Sequence, residues 1–388
     1  MRNWMRVAAA LFAIGYGANQ FSPLMVAYRE QEHFTAVTVA AFFGVYVAGL
    51  APGLLLGGPA SDRWGRRRLM LPALAVSVPA SAVLALGGVP GISEPALYVG
   101  RFLFGAVTGV AMAVGTTWVK ELSQPPFDDV DAGAGARRAA LALSAGFGVG
   151  PLLAGLIASF APFPLELPYA VHIVITLAAL VGLSAAPETS DGSTPVAWRV
   201  HVPPRFRRTV LPMAPWVFGA VSISFAVQPA ALGGGLLFAT LLAALTLGTG
   251  VAVQSWARRL DARSAVLAPR VGLGAVVVGT LMAAGAATLA APALAVPASL
   301  VLGCGYGLCL VAGLLEVQRM AEPRHLAGLT AVYYCLTYVG FLFPVLLAAL
   351  VGLVGYPPLL VGLAALAALS LAAVTINGRS PAPVPAAA

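Results

Sequence analysis

Gly58-Pro59-Ala60-Ser61-Asp62-Arg63-Trp64-Gly65-Arg66-Arg67 is a short charged reversal between two long apolar runs, with a further arginine at Arg68. A connection of this kind suits two neighbouring membrane spans. Gly58 would let one helix come close to another, and Gly65 permits a tight change of direction. Asp62 could sit at the positive N-terminal end of a neighbouring helix. The arginines hold the loop on the side of a membrane where positive charge collects.

Composition extends this reading to the whole chain. Of 388 residues, 60% are hydrophobic and 9% are charged, and mean hydropathy is +0.90. Soluble domains carry about 25% charged residues, so this chain has too few charges to cover a surface in water, and lipid is the solvent that fits it. Apolar runs long enough to cross the hydrocarbon core fall at 4–28, 36–60, 70–90, 95–119, 138–161, 168–186, 210–229, 232–257, 265–290, 293–315, 327–351 and 356–376. They are continuously apolar and do not alternate, which excludes a membrane barrel. The fold class expected is therefore all-α and integral to the membrane, with twelve transmembrane helices.

The net charge of +8 is a topology signal. With a cytoplasmic N-terminus, 20 of the 22 basic residues fall on the cytoplasmic side, Arg199, Arg324 and Arg379 among them, and only Arg29 and Arg101 do not. This predicts both termini in the cytoplasm of a cell with the protein in its inner (plasma) membrane, and it gives a nucleic-acid partner no support. The apolar stretch from Met1 to about Tyr28 is too long for a signal peptide and reads as a retained first span. Cys304, Cys309 and Cys335 lie in apolar runs without metal-ligand spacing, so neither a metal nor a cofactor is expected.

The longest connection, 187–209, is rich in proline and arginine and divides six spans from six. It separates a first bundle, 1–186, from a second, 210–376, with a Pro/Ala-rich tail at 377–388 read as disordered. A worn second copy of the charged loop is read at Gly250-Val251-Ala252-Val253-Gln254-Ser255-Trp256-Ala257-Arg258-Arg259, 192 positions on (250 − 58). Gln254 stands there in place of the acid, which predicts a charge-based lock that is strongest in the first half.

The pattern G-x-x-x-D-R-x-G-R-R at 58–67 resembles the signature loop of the major facilitator superfamily at every defining position. Helix five carries Gly146-Phe147-Gly148-Val149-Gly150-Pro151-Leu152-Leu153-Ala154-Gly155. It resembles the family's antiporter-associated signature G-x-x-x-G-P-x-x-G-G, with Ala154 where glycine is usual; the alternative is a generic packing face. Arg101, followed by Gly105, resembles the family's arginine associated with proton coupling, and snorkelling to the interface is the competing reading. Pro187-Glu188-Thr189 resembles a common tripeptide after helix six. The subfamily most resembled is the twelve-helix drug–proton antiporters.

The resemblance implies two pseudo-symmetric six-helix bundles with a cavity between them, working by alternating access. It assigns a conformational lock to Gly58, Asp62, Arg63, Gly65, Arg66 and Arg67, with Asp62 capping helix eleven near Ala327 when the inner side is closed. It assigns proton coupling to Arg101, with Glu30 as the candidate carrier and His172 and Glu316 as alternatives. Cavity candidates are Tyr16, Asn19 and Gln20 in helix one, Met112 and Thr116 in helix four, and Trp216 and Gln228 in helix seven. Tyr306 in helix ten and Tyr334 and Tyr338 in helix eleven complete the set. An aromatic, weakly charged cavity favours a small amphipathic or drug-like solute, expelled in exchange for protons. The alternative is proton-coupled uptake of a small nutrient. The sequence holds no nucleophile–base arrangement, metal motif or nucleotide loop, so an enzyme is not expected. The expected partners are the solute, protons and the lipid bilayer, and the chain is read as a monomer.

Overall fold

A computed structural model describes residues 2–130, 133–190, 200, 202–321 and 326–378, and these are overwhelmingly helical, with no strand among them. Arg199, Arg324, Arg379 and most of the tail lie outside the described residues. Ten helices are long and apolar enough to cross a membrane, and an eleventh counts if the bent pair Leu236–Ala252 and Gln254–Arg263 is one span. The twelfth is Asn3–Gln31, less apolar because it carries Tyr16, Asn19, Gln20 and Ser22, all buried against its neighbours.

In chain order the spans are α1 (Asn3–Gln31), α2 (Ala36–Trp64), α3 (Arg66–Ala85) and α4 (Ser93–Glu121). Then come α5 (Ala134–Phe160), α6 (Leu167–Ser184), α7 (Pro215–Leu232) and α8 (the bent pair). The last four are α9 (Leu267–Thr288), α10 (Ala295–Met320), α11 (Leu326–Val354) and α12 (Tyr356–Asn377). Breaks at Gly233–Gly235 and Leu289–Ala291 bear out both short connections expected near 230 and 291. Gly65 has φ +102 and ψ 148, a conformation that L side chains rarely adopt, so the α2–α3 reversal requires glycine there.

Backbone-to-backbone approach organises each half. A Cβ on Gly105 would meet the Tyr46 carbonyl oxygen, and one on Gly109 the Leu50 carbonyl oxygen, so α4 lies directly on α2. In the second half Gly303 and Gly307 of α10 stand in the same way against the carbonyls of Thr246 and Gly250 in α8. Without a hydrophobic driving force between helices in lipid, such glycine contacts supply the dispersion and weak hydrogen bonding that hold spans together. Within the first half, Gly146 and Gly150 of α5 pack on α1 at the backbone of Phe12 and Tyr16.

These equivalent contacts fix the internal repeat at about 198–200 positions (303 − 105; 250 − 50), not at 192. The second copy of the charged loop is therefore misplaced when read at 250–259. Ala257 is buried inside helix Gln254–Arg263, and the chain leaves that helix at Ser264. The position equivalent to Asp62 is Asp261, so the second half does carry an acid there. Glycine spacing across two helices defines the register; the residues of a single loop do not.

Candidate functional site

The two halves meet through a seam of aromatic rings. Phe43 of α2 stacks on Phe341 of α11 at 5.2 Å between centroids and reaches Phe225 of α7 at 6.1 Å. Tyr46 lies 5.9 Å from Tyr338, and Phe218 of α7 lies 4.4 Å from Tyr338 and 5.8 Å from Tyr306. The Tyr338 hydroxyl donates to the Met112 sulfur across the seam at 3.6 Å. Three helical irregularities sit here. π-turns at Ala111–Gly115 and Ile223–Val227 carry Met112 and Phe225, and a tightened turn at Val339–Leu342 carries Phe341 ahead of Pro344. Such turns rotate the side chains beyond them and are frequent at functional sites.

Behind the seam lies Arg101, 1% exposed. Its Nε donates to the Phe42 carbonyl at 3.4 Å and its Nη1 to the Ala18 carbonyl at 3.1 Å. The guanidinium sits over the rings of Tyr46 at 4.2 Å, Phe21 at 4.6 Å and Phe43 at 5.5 Å. Placing an arginine at a helix centre in lipid costs about 2.5–3.5 kcal/mol on insertion scales. Hydrogen bonds to a charged group return roughly 1.5–3 kcal/mol each and a desolvated cation–π contact about 2, so the cage offsets that cost without a carboxylate. The side chain turns inward into the protein, and the snorkelling alternative is excluded.

The predicted cavity residues divide into two sets. Tyr338, Met112 and Tyr306 are on the seam. Tyr16 Oη, both amide atoms of Gln20, Tyr46 Oη and Gln228 Oε1 are buried with no hydrogen bond within 3.5 Å among the described residues. Asn19 reaches only the Phe147 carbonyl, at 3.5 Å. Trp216 faces away, its Nε1 on Ser370 of α12 at 2.9 Å and its ring on Phe343. Thr116 is spent on its own helix at the Met112 carbonyl, and the Tyr334 ring lies tilted against that of Tyr333 at 5.8 Å. Sequence reasoning missed Phe43, Tyr46, Phe218, Phe225 and Phe341, since an aromatic in an apolar span carries no mark of which way it faces.

Glu30 is exposed on the rim of a cavity of about 300 Å³ at the end away from the basic hairpin, with Arg29, Phe225, Pro344 and Tyr356. It lies nine residues past Phe21, about 13 Å along the helix at 1.5 Å per residue. A longer helix one therefore does not bring Glu30 to Arg101. His172 is fully buried. Its Nε2 faces the Ala13 carbonyl at 3.0 Å, an acceptor only, so that nitrogen carries the hydrogen, and its Nδ1 meets the Ser81 hydroxyl at 2.7 Å. Glu316 is held by Arg205 at 2.7 Å and Arg319 at 3.2 Å.

At the basic end, Asp62 is paired with Arg66, which also binds Glu121 at 2.9 Å. No hydrogen bond or ion pair joins Asp62 to α11 among the described residues. Nothing lies within 4 Å of a Cβ on Gly58, so the close approach expected there is absent from this conformation. The cap on a helix N-terminus belongs to Glu188, whose carboxylate accepts from the Arg66 and Arg67 amides at 2.8 and 3.0 Å. Trp118 anchors this segment through the Pro187 carbonyl at 3.0 Å. Arg63 lies beside Trp64, and Arg67 donates to the Ser184 carbonyl. In the second half Arg319 pairs with Asp261 and Glu316. On helix five, a Cβ at Gly155 would strike Thr240 of α8, in the other half, and Pro151 is buried.

The family model described as Major Facilitator Superfamily matches residues 7–344. Among solved structures, a mutant of the nucleoside transporter NupG is 10% identical with a TM-score of 0.74, covering 97% of this chain and 100% of that one. NupG itself is 11% identical with a TM-score of 0.70, covering 98% and 100%. The human organic anion transporter MFSD10 (TETRAN) is 18% identical with a TM-score of 0.66, covering 96% and 98%. At these identities the likeness is one of fold. No curated protein sequence matches this chain.

Proposed function

This chain belongs to the Major Facilitator Superfamily, and on that premise we propose that it moves a small amphipathic organic solute by alternating access, expelling it in exchange for protons. The observation that carries the solute class is the seam, where aromatic rings from α2, α7, α10 and α11 meet and the buried Tyr46 hydroxyl makes no hydrogen bond within 3.5 Å among the described residues. A buried polar group without a partner costs roughly 1–3 kcal/mol, and a bound solute with a few polar atoms removes that cost. The two transporters of similar fold carry, by their descriptions, a nucleoside and organic anions, both small organic solutes.

The exchange for protons rests on the Gly–Pro motif of α5, whose Gly146 and Gly150 pack on α1, and on the buried Arg101. We assign the basic end to the cytoplasm, both termini with it, and the protein to the inner membrane as a monomer. The bundles are assigned to 1–186 and 210–376, the connection to 187–209 and the tail to 377–388. In this conformation the aromatic contacts shut the end away from the basic loops, and the lock of Gly58, Asp62, Arg63, Gly65, Arg66 and Arg67 is disengaged. Engagement of Asp62 with α11 belongs to the opposite state.

Proton-coupled uptake is the second reading, since no described carboxylate lies beside Arg101 to favour one direction of coupling over the other. Solute movement in proteoliposomes under an imposed pH gradient, with and without a protonophore, separates the two. Export predicts solute movement against the proton flow, and Glu30→Gln leaves that coupling intact. Solute moving with the protons overturns the exchange, and flux indifferent to the gradient overturns coupling altogether.

A further inference from the structure

The charges inside the membrane do not balance. Every described Asp and Glu lies in a connection or within about one turn of a helix end. His172 is paired on both ring nitrogens, to the Ala13 carbonyl and the Ser81 hydroxyl. Among the described residues, Arg101 is a buried cation with no acid facing it from α1, α2 or α4. A guanidinium has five N–H donors. Nε and Nη1 each hold a carbonyl, and no hydrogen bond of Nη2 is found among the described residues. The ring of Tyr46 covers the same guanidinium, and its buried hydroxyl, beside those of Thr108 and Tyr338, makes no hydrogen bond within 3.5 Å among the described residues.

Deepening the reading of this protein as a solute transporter, we propose that the solute is an organic anion, a flat aromatic carboxylate whose two oxygens take the free Nη2 of Arg101 and the hydroxyl of Tyr46. The seam rings Phe218, Tyr338 and Phe341 supply stacking surface for the aromatic part. Carboxylate suits this pair because guanidinium–carboxylate bonds are among the strongest available in a low-dielectric site. The same fixed charge rejects cations. At an effective dielectric of about 20, a unit charge about 8 Å away is favoured or disfavoured roughly thirtyfold according to sign. The described residues place no carboxylate in the membrane interior to offset the charge of a drug cation. To reach Nη2 the anion must displace Tyr46 or Phe43 from the guanidinium, which couples solute arrival to the two rings that seal the seam.

The test is counterflow in proteoliposomes with four probes of one shape: 2-naphthoate, 2-naphthalenesulfonate, 2-naphthamide and 2-naphthyltrimethylammonium, each corrected with protein-free vesicles. Both anions should move at least tenfold faster than the cation, the sulfonate showing that the charged form itself is carried. Arg101→Gln should lower movement of the anions tenfold or more and leave the neutral amide within about threefold, and Arg101→Lys should restore part of the anion flux. Cation movement equal to or above that of the anions overturns the proposal. Equal loss of anion and amide in Arg101→Gln also overturns it, because a purely structural arginine behaves that way. If Arg101→Gln does not fold, the charge preference of the unmodified protein decides alone. Thermal stabilisation by 2-naphthoate that vanishes in Arg101→Gln, with no probe moving, keeps the anion site and defeats the transport reading. Movement of the cation alone keeps transport and defeats the anion.

Discussion

The α2–α4 pair of the first half and the α8–α10 pair of the second are built on one plan and differ at one position that matters. Gly105 and Gly109 lie on the backbone of α2 as Gly303 and Gly307 lie on that of α8. Four residues before the first glycine of each pair stand Arg101 and Ser299. Arg101 reaches the Phe42 carbonyl and is caged by rings. Ser299 sits in a neutral network, taking hydrogen bonds from Ser224 at 2.7 Å and Gln228 at 3.1 Å. The glycine contacts need only close backbone approach and do not care which of the two side chains precedes them. The shared scaffold is thus a matter of packing, and the electrostatic specificity belongs to the first half alone.

The largest expected effect comes from erasing that difference. Arg101→Ser, which copies the second half, should lower transport of an anionic probe tenfold or more. Ser299→Ala should keep transport within about twofold and cost roughly 1 kcal/mol of stability, the scale of a hydrogen bond lost from a network that keeps its other members. Flux and thermal unfolding in detergent, measured on both variants, check this. Equal losses of flux would mean that the halves share the work.

Overpacking the shared scaffold should affect both halves alike. Gly150→Val drives a side chain into the Tyr16 backbone, and Gly307→Val drives one into the Gly250 backbone. Each should destabilise by about 1–3 kcal/mol, seen as earlier unfolding, with transport slowed in both. If Gly150→Val keeps unmodified flux and coupling, the α5 motif has no part in the mechanism.

The charge clusters at the basic end are the next smaller contrast. Asp62→Asn leaves Arg66 with Glu121, and Asp261→Asn leaves Arg319 with Glu316. Asp62 and Arg319 are roughly a third exposed, so solvent screens both pairs. Each change should therefore cost no more than about 1 kcal/mol. Expression should stay normal, and spin-label distances across the basic end should broaden in both variants. Broadening confined to Asp62→Asn would restore the view that the lock resides in the first half.

Smallest is the cap of α3, for which α9 shows no side-chain counterpart among the described residues. Glu188→Gln keeps a hydrogen-bond acceptor beside the Arg66 and Arg67 amides but removes its charge from the helix end. A loss of about 0.3–1 kcal/mol is expected at low salt, shrinking as salt is raised. A loss that does not respond to salt would show that the role is steric.

Part of the site was legible before any coordinates. Arg101 stands out as an arginine in an apolar run, Tyr338 as a cavity tyrosine of helix eleven through the family resemblance, and the close packing of Gly146 and Gly150 follows from their spacing. The repeat was legible too, in the pair of small-residue motifs at 105–109 and 303–307, but a similarity between loops drew it seven residues out of register. Glu188 was readable only as part of a tripeptide. Its partners lie some 120 positions away in sequence (188 − 66), and no local pattern announces a contact at that separation.

The sequence by itself determined the solvent, the number and order of the spans, the basic end, the glycine at the α2–α3 reversal and the family. These are local properties. Transfer of a segment into lipid sums over its own residues, and a backbone with φ +102 selects its own side chain. Only the tertiary structure decided that Arg101 faces rings and carbonyls without an acid, that Trp216 turns to α12 while Tyr46 turns to the seam, and that Glu30 stays at the rim. Hydropathy does not fix the rotation of an apolar helix about its own axis, since nearly every face is acceptable to lipid. That rotation is set by which neighbour's backbone each glycine admits, and it in turn chooses which side chains meet.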